Sequence, residues 1–506
     1  MTDETNVSKA PIKRGAILTV MLLGSFVAIL NQTLMNVALP EMMIDLDISA
    51  NTAQWLTTGY MLVNGVLIPV TAFLIERFTT RQLFLTSMGL FAAGTLICAI
   101  SPTFEFLLMG RVVQAAGAGI IMPLLMIVIL TIFPIEKRGK AMGFIGLAMT
   151  FAPAIGPTLS GWIIQNYSWR VLFYVVLPIA IIDFFVAVLL LKNVTQLSYP
   201  KIDIPGIILS TLGFGGLLYG FSSAGNAGWT SVEVITSIII GIIALAIFIR
   251  RQMTVKNPML EFRVFKYNMF TLTTIINVII TMAMFAGMIL VPIYLQNIRG
   301  FTPLESGLLL LPGAILMGIM SPITGWIFDK IGARWLAVIG LAITTITTWE
   351  FSMLTDSTTY TTLIIVYTAR MFGMSMLMMP IMTAGLNQLP QRLNAHGTAM
   401  SNTFRQVSGA LGTAFLVTVM SNQTEEHAKE MATAAGVTPD AKQEMAHIIK
   451  EATIKGINDA FVVATGLSIL ALLLAFFIKR VKPAEEDGHR EAATEKKAQK
   501  VAINEG

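Results

Sequence analysis

The chain has 506 residues, of which 55% are hydrophobic and 12% charged, with a formal net charge of +5. A soluble domain carries roughly 25% charged residues, so a water-soluble fold is excluded. The basic excess sits in short breaks between apolar stretches, with no aromatic interleaving, which excludes a nucleic-acid patch and reads as membrane topology.

A helical span needs about 20 predominantly apolar residues, and such windows recur along nearly the whole chain. They predict fourteen spans, the first seven near residues 15–36, 53–74, 81–101, 104–130, 139–162, 170–191 and 205–224. The other seven fall near 231–249, 268–294, 305–328, 333–354, 359–385, 397–420 and 457–479. The first stretch follows Lys13 and Arg14, is longer than a signal-peptide core and lacks an Ala-x-Ala exit, so it is expected to stay uncleaved. Cys98, the single cysteine, permits no internal disulfide or thiolate metal site and reads as a small core residue.

Of the 34 Lys and Arg, 25 fall in the two tails and the alternate connections on their side, six fall on the other side, and Arg111, Arg370 and Arg405 lie within spans. The positive-inside rule therefore makes both termini cytoplasmic.

Ala72–Arg81 (AFLIERFTTR) and Gly325–Arg334 (GWIFDKIGAR) resemble each other at an offset of 253 residues, and Arg111 with Met122-Pro123 repeats near 258 residues later as Arg370 with Met379-Pro380. An internal duplication explains both offsets. It divides the chain into a tail (1–14), a six-helix bundle (15–191), two inserted helices (205–249), a cytoplasmic linker (250–267), a second six-helix bundle (268–479) and a tail (480–506). The extracellular loop at 421–456 reads as two short helices broken at Gly436, with Thr438 as N-cap, Pro439 at the first helical position and Asp440 in the first turn. It is either a spacer or a lid. The tail from Lys482 onward is charged and reads as disordered.

The chain has no Gly-x4-Gly-Lys-Ser/Thr loop, so ATP hydrolysis is not expected. His396, His427, His447 and His489 all fall in loops or the tail, and no Ser/His/Asp grouping can be assembled inside the spans. Neither an enzyme nor a metal site is expected.

Charges inside spans are costly and usually face a cavity or a partner. Arg111 opens the run RVVQAAGAG, with Gln114 one turn on and small residues that permit close helix approach. Span one carries Asn31, Gln32, Thr33 and Asn36, which either bond neighbouring helices or line a wet pathway. Span five holds APAIGPTLSG, in which Pro153 and Pro157 bend the helix while Gly156 and Gly161 admit a neighbour. That pattern is either membrane packing or a hinge between the halves. Glu76, Arg77 and Arg81, repeated as Asp329, Lys330 and Arg334, read as a two-state latch holding the inward-closed form. In span twelve Met371, Met374, Met376, Met378, Met379 and Met382 offer a soft surface for varied ligands or plain apolar packing.

Together these segments resemble the major facilitator superfamily, specifically its 14-span drug:proton antiporter branch of the EmrB/QacA type. The resemblance implies an all-α polytopic fold of two six-helix bundles plus two inserted helices. Residues 325–334 are similar to the family's loop motif, whereas the N-terminal copy has Ala72 for Gly, Glu76 for Asp and Thr79 for Gly. RVVQAAGAG resembles the span-four motif, which gives Arg111 the role of the arginine linked to proton movement. APAIGPTLSG resembles the antiporter motif, with Ser160 replacing a glycine, and implies export by antiport. LNQTLMNVALP, residues 30–40, resembles the span-one motif except that Asn31 stands where the family keeps an acid. Paired with FLIERFTTR, it looks like the lincomycin-resistance branch.

An asparagine cannot titrate, so another acid must carry protons. Asp183 in span six is the most deeply placed, though the fold puts that span at the periphery; Glu350 and Asp459 sit near outer span ends. The resemblance implies a monomeric exporter in the bacterial cytoplasmic membrane that uses no cofactor and is driven by the proton gradient. Its expected partners are amphiphilic drugs, protons and membrane lipids, with Asn31, Gln32, Asn36, Arg111, Gln114, Met371 and Met374 as the pocket. An exporter or flippase of lipids or fatty acids, or a transport-inactive ligand sensor, is the alternative.

Overall fold

The computed structural model describes residues 14–195, 197, 202–256, 258–436 and 442–480, apart from the side chains of Asn36, Val37, Ala50, Asn51, Gln54, residues 225–227, Pro303 and Lys442. Fifteen α-helices and no strand occur among the described residues. The expected N-terminal and C-terminal tails, and the cap at Thr438, Pro439 and Asp440, fall outside them.

The first six helices are α1 (Arg14–Asp45), α2 (Ala50–Arg77), α3 (Thr80–Ala99), α4 (Phe104–Ile132), α5 (Ile135–Asn166) and α6 (Val171–Leu190). A pair, α7 (Ile204–Ala227) and α8 (Val232–Thr254), separates them from α9 (Asn268–Ile293), α10 (Pro303–Ile331), α11 (Ala333–Glu350), α12 (Tyr360–Ser375), α13 (Met378–Leu386), α14 (Asn394–Ala435) and α15 (Lys442–Ala475). Among the described residues thirteen stretches are long and apolar enough to cross a bilayer, with α12 and α13 forming a single one. The fourteenth crossing is α14, which falls short of that apolarity because it carries Asn402, Arg405 and Gln406 where it meets other helices.

Local signals set many of the ends. Thr79 and Gln82 form a reciprocal capping box at the start of α3, and Thr302 and Glu305 form one at α10. Between α10 and α11, Gly332 takes φ 84°, open to glycine at little cost. Asp203 caps α7 and binds Arg251 and Gln252 of α8, joining the pair at its base. Burial pushes the Asp203 carboxyl up, but bonds from Arg251, the Gly206 N–H and Gln252 outweigh it and hold it below its ordinary value.

The fold departs from the sequence expectations in two places. The span expected as one helix at 359–385 is interrupted at Met376–Leu377. Pro380 has no N–H for the Met376 carbonyl, and the Thr324 hydroxyl donates to the adjacent Ser375 carbonyl at 2.8 Å. The polar stretch 421–456 does not form two separate short helices: α14 runs on to Ala435, and α15 begins at Lys442. The break falls at Gly436 as expected, with φ 63°.

An apolar cluster fills α1–α6 and extends to Met379, Met382, Leu386 and Met400, so the two helix sets pack together at the end where α2 and α10 finish. That end, the basic face, carries most of the Lys and Arg of the connections. Two further clusters fill α9–α15. Helix α5 packs antiparallel on α10 through facing glycines: a Cβ on Gly139 would collide with the Gly325 carbonyl oxygen, and one on Gly325 with that of Gly139.

Candidate functional site

Arg111 sits two turns into α4 with no exposed surface. Its Nη1 donates to Asn31 Oδ1 at 2.8 Å and to Gln114 Oε1 at 2.6 Å, and its Nε donates to the Leu56 carbonyl at 3.2 Å. The guanidinium lies 4.1 Å from the centroid of the Tyr60 ring, a cation–π contact. Gln114 passes the network on, donating from Nε2 to Thr95 Oγ1 at 2.7 Å. Asn31 and Gln114 are thus brought to Arg111, and all of the acceptors are neutral. Gln32 is half-buried on the next position of α1, and the Asn36 side chain lies outside the described residues. Leu56, Tyr60 and Thr95 escape a reading of the sequence, because a backbone carbonyl, an aromatic and a span threonine carry no distinguishing pattern.

Small residues make this site possible. A Cβ on Gly94 would collide with the Gln114 backbone nitrogen, and one on Gly117 with the Ser87 carbonyl, so α3 and α4 touch through their backbones.

Asp183 is expected as the most deeply placed acid, on a span at the periphery. Although most of α6 borders the outside, Asp183 points inward and is fully buried against α1 and α3. Its Oδ2 lies 2.8 Å from where a Cβ on Gly24 would be, beside Phe84 and Met88. Neither carboxylate oxygen has a hydrogen-bond partner among the described residues. Gly24 and Asn31 share one face of α1 at a separation of about 10 Å, so the acid lies some two turns from the Arg111 network. Glu350 is not brought to this region: it is exposed at the end of α11. Asp459 pairs at 2.8 Å with His427 on the extension of α14.

In the later helices Arg370 on α12 is also fully buried. Its Nη2 donates to the Ala283 carbonyl at 3.0 Å and its Nε to Thr348 Oγ1 at 3.3 Å. Gly287 makes room for it, since a Cβ there would collide with Nη1.

At the basic face Asp329 accepts from the backbone N–H groups of Gly139 at 2.7 Å and Lys140 at 2.9 Å, reaching from α10 to the first turn of α5. A carboxylate there also meets the positive helix end. Glu76 on α2 pairs with His396 Nε2 on α14 at 3.0 Å, while His396 Nδ1 accepts from the Glu261 N–H at 3.4 Å. His396, expected in a loop, instead lies in the first turn of α14 and is buried. Arg480 donates to the Lys330 and Asp329 carbonyls. Arg81 turns to the Val188 carbonyl, while Lys330 and Arg334 stack on Trp326 and Trp335, so these bases do not cross between the helix sets.

The span-five motif packs chiefly on α1, and its Thr158 Oγ1 also lies 3.9 Å from a Cβ position on Gly307 of α10. A Cβ on Gly156 would collide with Thr33 Oγ1, and Ser160 donates to the Leu34 carbonyl at 2.7 Å, so this segment is fitted to α1. Pro153 and Pro157 leave α5 unbroken, and a Cβ on Gly161 would have nothing within 4 Å. The tightest contacts of α5 with the later helices run through Gly139, Gly143, Gly146 and Phe151. Met374 is buried in the apolar cluster of α9–α15, and Met371 packs against Gly313. Met379 approaches α5, at Gly146. No group of three or more metal-ligating side chains occurs among the described residues.

The family model described as Major Facilitator Superfamily matches residues 21–413. The MFS-type transporter YcnB of Bacillus subtilis (strain 168) is 51% identical over 487 residues, 96% of this chain and 100% of the relative. Lincomycin resistance protein LmrB of the same organism is 45% identical over 464 residues, 91% and 95% of the two chains. Among solved structures, the human organic anion transporter MFSD10 superposes with a TM-score of 0.65 at 11% identity, covering 92% of this chain and all of that one, a likeness of fold alone.

Proposed function

Because the chain belongs to the major facilitator superfamily, we propose that it is a secondary active exporter that carries amphiphilic drugs out of the cell in exchange for protons. The observation that carries this reading is the 45% identity, along 91% of the chain, to a relative named for lincomycin resistance. The charge distribution supports a bacterial cytoplasmic membrane location with the basic face cytoplasmic. On that face Asp329 and Glu76 tie helices of the two sets together, a closure suited to one end of an alternating-access cycle. The same reading makes the protein neither an enzyme nor dependent on a cofactor.

Asp183 is the acid we assign to proton carriage. It is the one carboxylate fully buried within a span among the described residues, and no hydrogen-bond partner among them ties up its oxygens. Asn31 leaves Arg111 with no anionic neighbour, so the embedded field is positive and disfavours dications. Neutral or weakly charged amphiphiles are therefore the expected substrates.

The test is drug susceptibility of cells lacking and overexpressing the chain, repeated with a protonophore. Resistance that rises with expression and collapses with the protonophore supports export by antiport. No change across a broad drug panel would sink it, in favour of lipid movement. Saturable efflux of a dicationic dye by the wild type would overturn the charge preference.

A further inference from the structure

Arg405, the third cation within the spans, takes part in neither the Arg111 network nor the latch. Helix α14 begins at Asn394 on the basic face, and the rise of 1.5 Å per residue places Arg405 about 16 Å deep, near the middle of a hydrocarbon core of about 30 Å. Its surroundings fix its lateral position. Asn402 donates to Met126 Sδ of α4 at 3.2 Å, Arg405 Nη1 reaches Met149 Sδ of α5 at 3.4 Å, and Gln406 Cγ lies 3.4 Å from a Cβ position on Gly65 of α2. Neighbouring positions of α14 thus meet three helices of the first set, so Arg405 stands where the two sets face each other at mid-depth.

Its bonding differs from that of its two counterparts. Arg111 and Arg370 are fully buried and hold backbone carbonyls, whereas Arg405 is only half-buried. A guanidinium has five N–H donors, and here the acceptors are a thioether sulfur, which is weak, and Asn402 Oδ1 at 3.1 Å. No carboxylate lies within ion-pair distance among the described residues. A cation at this depth is costly without a partner, and its planar fork matches a carboxylate or sulfonate.

We propose that Arg405 recognises an anionic group on the transported amphiphile, with Asn402 and Met149 holding its guanidinium toward the space between the helix sets. This rests on the exporter reading and narrows its substrate class to amphiphiles with one carboxylate or sulfonate.

The experiment measures binding to the purified full-length protein in nanodiscs of two probes of similar shape, anionic 1-anilino-8-naphthalenesulfonate and neutral N-phenyl-1-naphthylamine. In the wild type the sulfonate is expected to bind more tightly. Arg405→Gln is expected to weaken it about tenfold or more while changing the neutral probe less than about twofold. Arg405→Lys keeps the charge without the fork and is expected to fall between. Equal effects of Arg405→Gln on both probes, or none on the sulfonate, overturn the assignment while leaving the exporter reading intact. If Arg405→Gln fails to fold, Arg405→Lys decides: a partial loss of sulfonate affinity with the neutral probe unchanged supports the proposal, and wild-type sulfonate affinity or equal loss for both probes overturns it. A wild type that binds neither probe overturns the amphiphile reading itself, and this proposal with it.

Discussion

The two buried arginines sit at repeated positions of the two helix sets and are held in different ways. Besides the Leu56 carbonyl, Arg111 meets three side chains, Asn31, Gln114 and Tyr60, and through Gln114 it is coupled to Thr95. Arg370 is fixed by the Ala283 carbonyl, by the single side chain of Thr348 and by the absence of a side chain at Gly287. Each arginine keeps one backbone anchor, and Arg111 has in addition the larger set of side-chain partners that rotamer changes can rearrange. The first set also contains the unpartnered Asp183, and no fully buried acid occurs in α9–α15 among the described residues. In the reading proposed above, the first set carries the group that changes protonation state.

The largest expected effect comes from removing the acid on which that asymmetry rests. Asp183→Asn is expected to abolish efflux driven by a proton gradient in proteoliposomes while leaving probe binding within about twofold. Full pH-driven transport by this variant would remove Asp183 from the cycle and with it much of the contrast. On the other side, Gly287→Ala forces a methyl onto Arg370 and is expected to destabilise the protein by about 1–3 kcal/mol, seen as a lower melting temperature of the purified chain. If Gly287→Ala melts like the wild type, Arg370 is as adjustable as Arg111.

Asn31→Asp sharpens the comparison by giving Arg111 an anionic partner at the present 2.8 Å contact. Efflux of a dicationic dye, which the wild type should not support, is expected to appear, and a variant that remains unable to move it would show that Asn31 does not set the charge preference. The latch also differs between its copies, because Asp329 receives two backbone N–H bonds and Glu76 is paired with a histidine. Hydrogen bonds to a charged group contribute about 1.5–3 kcal/mol, so Asp329→Asn is expected to open the basic face more than Glu76→Gln. Cysteine cross-linking between α5 and α10 reads this order directly, and the reverse order would refute it.

The smallest effect belongs to the opposite face, where Arg170 and Trp169 donate to Asp45 and hold its carboxyl below its ordinary value. A carboxyl depressed in the folded state adds stability above its unfolded value, near pH 4, and loses it as pH falls through the lower folded value. Melting temperatures of wild type and Asp45→Asn should therefore differ slightly and constantly from about pH 7 to 5, and converge only below about pH 4.

Composition, span length and charge periodicity determined the helical membrane fold, because each crossing must satisfy its own backbone and bury apolar surface. They also singled out Arg111, Asn31, Gln114 and Asp329, since embedded charges and repeated acids are conspicuous against apolar sequence. The partners were decided elsewhere. That α6 turns Asp183 toward Gly24, that the proline motif of α5 fits α1, that Met374 joins an apolar core and that His396 meets Glu76 all depend on how helices rotate about their axes and which neighbours they meet. A span's apolarity leaves that rotation nearly free in lipid, where helix packing is set by close contacts between small residues and by polar bonds, so only the tertiary structure could fix it.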